Sequence, residues 1–150
     1  MPKNTDTRAQ FAFPDTTKTT VNRFTLKDPG FYNRNPEFSF KYYDHGHKQY
    51  SAVCINSHKD FHTMFERLKN MSQFKWKQIR AWADTYHFHP IEWKESSEPS
   101  GFNKLPSNLR DFPAWQFKLY RECRAVGFFN PDNIFEVVWI DSKHKVYKRK

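Results

Sequence analysis

A basic cluster closes this chain. Within residues 141–150, Lys143, Lys145, Lys148, Arg149 and Lys150 surround His144 and Tyr147, and Arg121 and Arg124 precede them by about two strand lengths. These residue types suit cleavage of a phosphodiester next to a ribose 2′-hydroxyl. That reaction needs a base to deprotonate the hydroxyl and a cation to steady the pentavalent phosphate. It also needs an acid to protonate the leaving 5′-oxygen. His, Tyr, Lys and Arg can supply all three roles without a metal. His144, Tyr147, Arg124 and Arg121 are therefore candidate catalytic residues. Lys143, Lys145, Lys148 and Arg149 are candidate nucleic-acid contacts. On a strand, Arg121 and Arg124 would point to opposite faces, so at most one would face the site. The competing reading is a solvated basic tail whose histidine has no special role.

A second group lies upstream. His87 and His89 open a proline-punctuated connection and are candidate acid–base or phosphate-binding groups, with packing against Trp93 as the alternative. The histidines also invite a metal reading, since His58 and His62 are one helical turn apart and His45/His47 form a close pair. No Cys or acidic ligand stands at a familiar interval, and Cys54 and Cys123 fit no metal spacing, so no metal or cofactor is expected.

Elements that could position these groups are legible. Asn130-Pro-Asp-Asn133 is a turn: proline presets φ, and Asn and Asp tolerate the tight backbone beyond it. It joins residues 124–129 to 134–140, the latter a nearly continuous apolar run expected of a central strand buried on both faces. Residues 115–119 alternate along another strand. Earlier, residues 38–42 and 50–55 read as a hairpin connected through Gly46, which is free to take positive φ. Ser57 caps a helix with Asp60 as capping-box partner, and Phe61, Met64, Phe65, Leu68 and Met71 give it one apolar face. A second helix is expected over residues 73–86. The five Trp residues read mostly as core, with Trp93 partly exposed. Segregated strands and helices predict an α+β fold: an antiparallel sheet with two helices packed on one face.

One hundred and fifty residues suit one domain. Residues 1–36 are expected to form a basic, partly flexible N-terminal arm whose aromatic residues act as anchors, and residues 37–150 the domain. The net charge of +9 favours a polyanionic partner, with nucleic acid first and an anionic membrane surface a distant second. The sixteen Phe must mostly fill the core, because small aliphatic residues are few. No run reaches the length of a membrane span and no apolar leader opens the chain, so a cytoplasmic protein with no membrane partner is expected.

The β–α–α–β–β–β order and the ending Trp139-Ile-Asp-Ser-Lys-His-Lys-Val-Tyr147 resemble the RelE/HigB/YoeB-type toxins of bacterial toxin–antitoxin systems. The likeness in architecture covers residues 38–147 and the likeness in residues about 117–147. The resemblance implies a small basic endoribonuclease that cuts messenger RNA, often on the ribosome, and an acidic antitoxin as partner. It also implies that Arg121 or Arg124 holds phosphate and that His144 or Tyr147 is the general acid or base. The chain departs from the pattern in its long N-terminal arm, its long connection over residues 85–113 and its hairpin in place of a single first strand. Two other classes remain open: a non-catalytic nucleic-acid-binding module, and a phage or host interaction protein that binds an acidic partner.

Overall fold

A computed structural model describes residues 30–147 of the chain. Its centre is the hairpin foreseen at Asn130. The Asn130 side-chain oxygen accepts the N–H groups of Asp132 (2.8 Å) and Ile134 (3.1 Å), and Asn133 takes a left-handed φ of 65°. This turn joins β4 (Cys123–Phe129) to β5 (Phe135–Asp141), and every residue of both strands is buried. The strands approach closely at Gly127, where a β-carbon would lie 1.8 Å from the Glu136 carbonyl oxygen. The register shifts there, between Val126 and Gly127. Only glycine fits this bulge.

Strands β3 (Ala114–Tyr120) and β2 (His89–Ile91) extend the antiparallel sheet on the β4 side. On the other side, β1 (Phe38–Ser39) pairs parallel with β5, giving the order β1-β5-β4-β3-β2. The fold is thus α+β with a mostly antiparallel open sheet. Among the described residues three α-helices, not the expected two, accompany it: α1 (His58–Met71), α2 (Trp76–Ala81) and α3 (Ala83–Tyr86). The expected helix over residues 73–86 breaks at Trp82, where ψ reaches 62°. That break turns Tyr86 toward α1, where its hydroxyl donates to the Asn70 oxygen (2.7 Å) and Arg67 lies over its ring.

The expected first hairpin does not form. Residues 50–55 run into a short 3-10 turn, Ala52–Cys54, and Gly46 does not take a positive φ. Both flanks dock separately on the open edge of β5 instead of on each other. Asp44 N–H donates to Val138 O (3.0 Å), and Ile140 N–H donates to Tyr50 O (2.9 Å). Satisfying that buried edge displaces the hairpin ladder.

One face of the sheet carries the helices. Trp76, Ile79, Met71 and Tyr86 pack there on Trp115, Phe117, Leu119 and Phe135. Phe31 enters the same core and stacks on Phe129 with ring centroids 3.6 Å apart. Residues 1–29, the larger part of the expected arm, lie outside the described residues. Irregular chain covers the opposite face: Phe102 and Leu105 pack with Phe128, Val138 and Trp139. No helix among the described residues is long and apolar enough to cross a membrane.

Gly127→Ala is expected to lower the unfolding free energy by about 3 kcal/mol, the upper end for overpacking, because the new methyl meets backbone that cannot move alone. Urea denaturation measures it, and an unchanged midpoint would mean that the strands can separate at the bulge.

Candidate functional site

The sequence candidates fall into two places. Arg124 is the inner member. It lies in β4 opposite Lys118 of β3 and Asp141 of β5 and is only 6% exposed. Its Nη1 donates to the carbonyl oxygens of Arg121 (2.8 Å) and Cys123 (3.4 Å), while its buried Nε has no hydrogen-bond partner among the described residues. Burial pulls its guanidinium below the ordinary value, and Asp141 opposes that shift. It stays a cation whose remaining hydrogen-bonding capacity is directed by the sheet.

Asp141 holds the turn that follows β5. Its carboxylate accepts the N–H groups of Lys145 (2.9 Å) and Val146 (2.8 Å). From the covering segment, Ser97 N–H donates to Val146 O (2.9 Å) and its hydroxyl donates to Lys145 O (2.7 Å). This clasp fixes His144 in a left-handed conformation, φ 55°, with its Nε2 2.9 Å from the Tyr147 carbonyl oxygen. A carbonyl only accepts, so Nε2 carries a proton, and Nδ1 carries the lone pair of the neutral ring. The Tyr147 ring lies 5.7 Å from that of His89, and its hydroxyl is directed at Glu95 Oε1 in a long contact of 3.5 Å.

His89 is fixed by the same logic. Its Nδ1 faces the Pro90 carbonyl (3.0 Å) and must carry the proton there, so Nε2 accepts from the Gln116 amide (3.3 Å). Gln116 is 1% exposed, and its Oε1 has no hydrogen-bond partner among the described residues. Gln116 and Lys118 are two apart on β3 and share a face. Strand pairing therefore places His89, Gln116, Lys118 and Arg124 on one side of the sheet, with His144 and Tyr147 on the turn beside them. Gln116, Lys118 and Glu95 were not singled out from the sequence. Alternation over residues 115–119 marked Gln116 and Lys118 as the polar face of a strand, but nothing local showed which strand face the histidines would meet.

Arg121 goes elsewhere. It occupies the β3–β4 turn with φ 38°, and its side chain reaches across to Asp60 of α1 (2.9 Å). It lines a polar cleft of about 420 Å³ with Lys143, Ser142, Tyr120 and Cys54. Lys143 and Lys145 are exposed, and Lys148 and Arg149 lie outside the described residues. His87 caps the C-terminus of α3 with a left-handed φ of 47° and is half-buried. Beneath the cleft, burial pushes the Cys123 thiol up to about 12, which makes it an unreactive core group.

Comparison of the chain with protein-family models, with curated proteins and with solved structures finds no match.

Asp141→Asn removes one acceptor from the clasp and is expected to cost about 1–3 kcal/mol, the penalty of leaving a buried N–H unmade. The Lys145 and Val146 amides should also exchange hydrogen faster. Unchanged exchange at both amides would show that Ser97 alone holds the turn.

Proposed function

We propose that the chain is a RelE-like endoribonuclease that cuts messenger RNA by attack of the ribose 2′-hydroxyl on the adjacent phosphorus. The observation that carries this reading is the shared sheet face of His89, Gln116, Lys118 and Arg124 beside the His144–Tyr147 turn. The cations are on rigid strands and the proton-transfer groups flank them, as the reaction requires.

In this reading Arg124 and Lys118 hold the phosphate and stabilise its added charge in the pentavalent state. Nδ1 of His144, or His89 Nε2 once the Gln116 amide releases it, takes the 2′-hydroxyl proton. The Tyr147 hydroxyl protonates the departing 5′-oxygen. The oxygen–phosphorus bond to the 2′-position forms as the bond to the 5′-oxygen breaks, leaving a 2′,3′-cyclic phosphate and a 5′-hydroxyl. These side chains suffice for every proton moved, so the scheme routes no step through a cofactor. Lys143, Lys145 and the residues beyond Tyr147 supply long-range attraction to RNA. An acidic antitoxin covering the basic face, action on the ribosome and a cytoplasmic setting belong to the same proposal.

The second reading, a nucleic-acid-binding module without catalysis, is favoured by one contact. The His144 ring already spends Nε2 on its own turn, as a structural histidine would.

Wild type, His144→Ala, Tyr147→Phe and His89→Ala should be compared on single-stranded RNA in EDTA and on messenger RNA with translating ribosomes in magnesium. Loss of the general acid or base is expected to slow cutting by about 10²–10⁴-fold while RNA affinity stays within a few-fold. Products should carry 2′,3′-cyclic phosphates. Equal cutting by all three variants would place the chemistry elsewhere. RNA binding with no cutting by wild type would leave the binding module.

A further inference from the structure

A cleft apart from the proposed catalytic groups lies on the same face of the sheet. Its walls are two irregular segments, residues 41–44 and 102–106, and its floor is Val138 and Trp139 of β5. Tyr42, half-buried, supplies ring surface above the buried Phe102, while Lys41 and Lys104 stand exposed at the rim. Lys104 reaches Asp44 across the mouth at 3.6 Å, and the Lys41 ammonium lies 5.3 Å from the Tyr42 ring centre. Phe40, 52% exposed, packs its ring against Tyr43 (6.3 Å) beside the opening.

We infer that this cleft holds one base of the single-stranded RNA substrate, with Lys41 and Lys104 on the phosphates that flank it. The inference rests on the ribonuclease reading and extends it. The Tyr42 ring accepts any base through its π-face, and paired rim cations follow the backbone on either side. A volume of about 270 Å³ falls just below the roughly 300–1,000 Å³ of drug-sized sites, which limits the occupant to a single ring system. Position fits as well. The cleft floor is on β5 and His89 is on β2, three strand spacings away, or about 14 Å across the sheet. A strand cut near His89 and Arg124 would therefore reach the cleft a few nucleotides from the scissile bond, and a dinucleotide would not.

The test uses the full chain. Binding of a fluorescent twelve-nucleotide RNA is measured on the Tyr147→Phe background, and cleavage rates are measured on the otherwise wild-type chain. Lys104→Glu should weaken binding of the twelve-mer at least several-fold and lower its salt dependence, because the lysine no longer displaces a counterion. Tyr42→Ala should weaken it by roughly 5- to 150-fold, the range for losing one stacked base, and Tyr42→Phe should restore it. A single abasic position in the RNA should reproduce that loss, and 4-thiouridine at the same position should cross-link to Tyr42. Both variants should cut a dinucleotide at the wild-type rate. Full twelve-mer affinity in Lys104→Glu and Tyr42→Ala, with cutting intact and no cross-link in the cleft, would overturn the inference and leave the ribonuclease standing. Absence of RNA binding by the unsubstituted chain would overturn both. Protection of the cleft by a peptide in place of RNA would also overturn the inference.

Discussion

The whole structure depends on a hairpin that is buried on both faces. Strands β4 and β5 expose no residue to water, and at Gly127 their backbones meet without room for a methyl group. A two-sided sheet needs two covers. The helices supply one, through a dense aromatic cluster in which Trp76 and Phe31 bridge α2 to the strands. Among the described residues no further α-helix serves the other face, so irregular segments with short 3-10 turns cover it.

Irregular cover has a cost that regular helices avoid. Each segment brings backbone N–H and C=O groups that need partners where water is scarce. Side chains meet much of that need here. Asp141 and Ser97 bind the backbone of the C-terminal turn, His47 Nδ1 accepts the N–H groups of Gln49 and Tyr50, and Tyr50 donates its hydroxyl to Glu98 (2.8 Å). The polar residues that hold the cover in place are thus drawn to the same face as the proposed site. Burial pushes the Tyr50 hydroxyl up to about 12, so it remains a donor throughout the physiological range. The site is in this sense the unclosed end of the cover, where polar side chains from β2, β3 and β4 meet the C-terminal turn.

How much could be read beforehand follows from the range of each interaction. The hairpin at Asn130, the burial of the expected strand from Phe135 to Ile140 and the Ser57 cap are local or periodic, and all three are present; Ser57 accepts the Asp60 N–H at 3.3 Å. The Asp60 carboxylate is a different matter, because it is engaged by Arg121, sixty-one residues away. The break at Trp82 and the loss of the first hairpin were hidden for the same reason. Each is decided by a distant competitor, Asn70 in one case and the β5 edge in the other. Trp93 is half-buried as its place in an irregular segment suggested, whereas Trp82 is 43% exposed because the helix break carries it outward. Of the site, His144 and Tyr147 were visible as residue types in a short run. Gln116 and Lys118 became visible only when pairing of β2 with β3 brought the histidine to them.

Charge is distributed in a way that separates two tasks. Residues 30–147 contain 17 Lys and Arg against 13 Asp and Glu, a net of +4, so the segments on either side contribute the remaining +5 of the total +9. Among the described residues, several cations have protein partners that offset part of their charge: Arg121 with Asp60, Lys104 with Asp44, and Arg124 through Nη1 with a carbonyl of its own turn. A surface so balanced has a weak long-range field. Under the ribonuclease reading, attraction to the polyanion would come largely from the charge of the flanking segments, whereas Arg124 and Lys118 on the sheet would orient the phosphate. These two contributions differ in their response to salt. Screening weakens capture by the flanking charge but changes little at a cation that is 6% exposed, so rising salt should raise KM well before it lowers kcat.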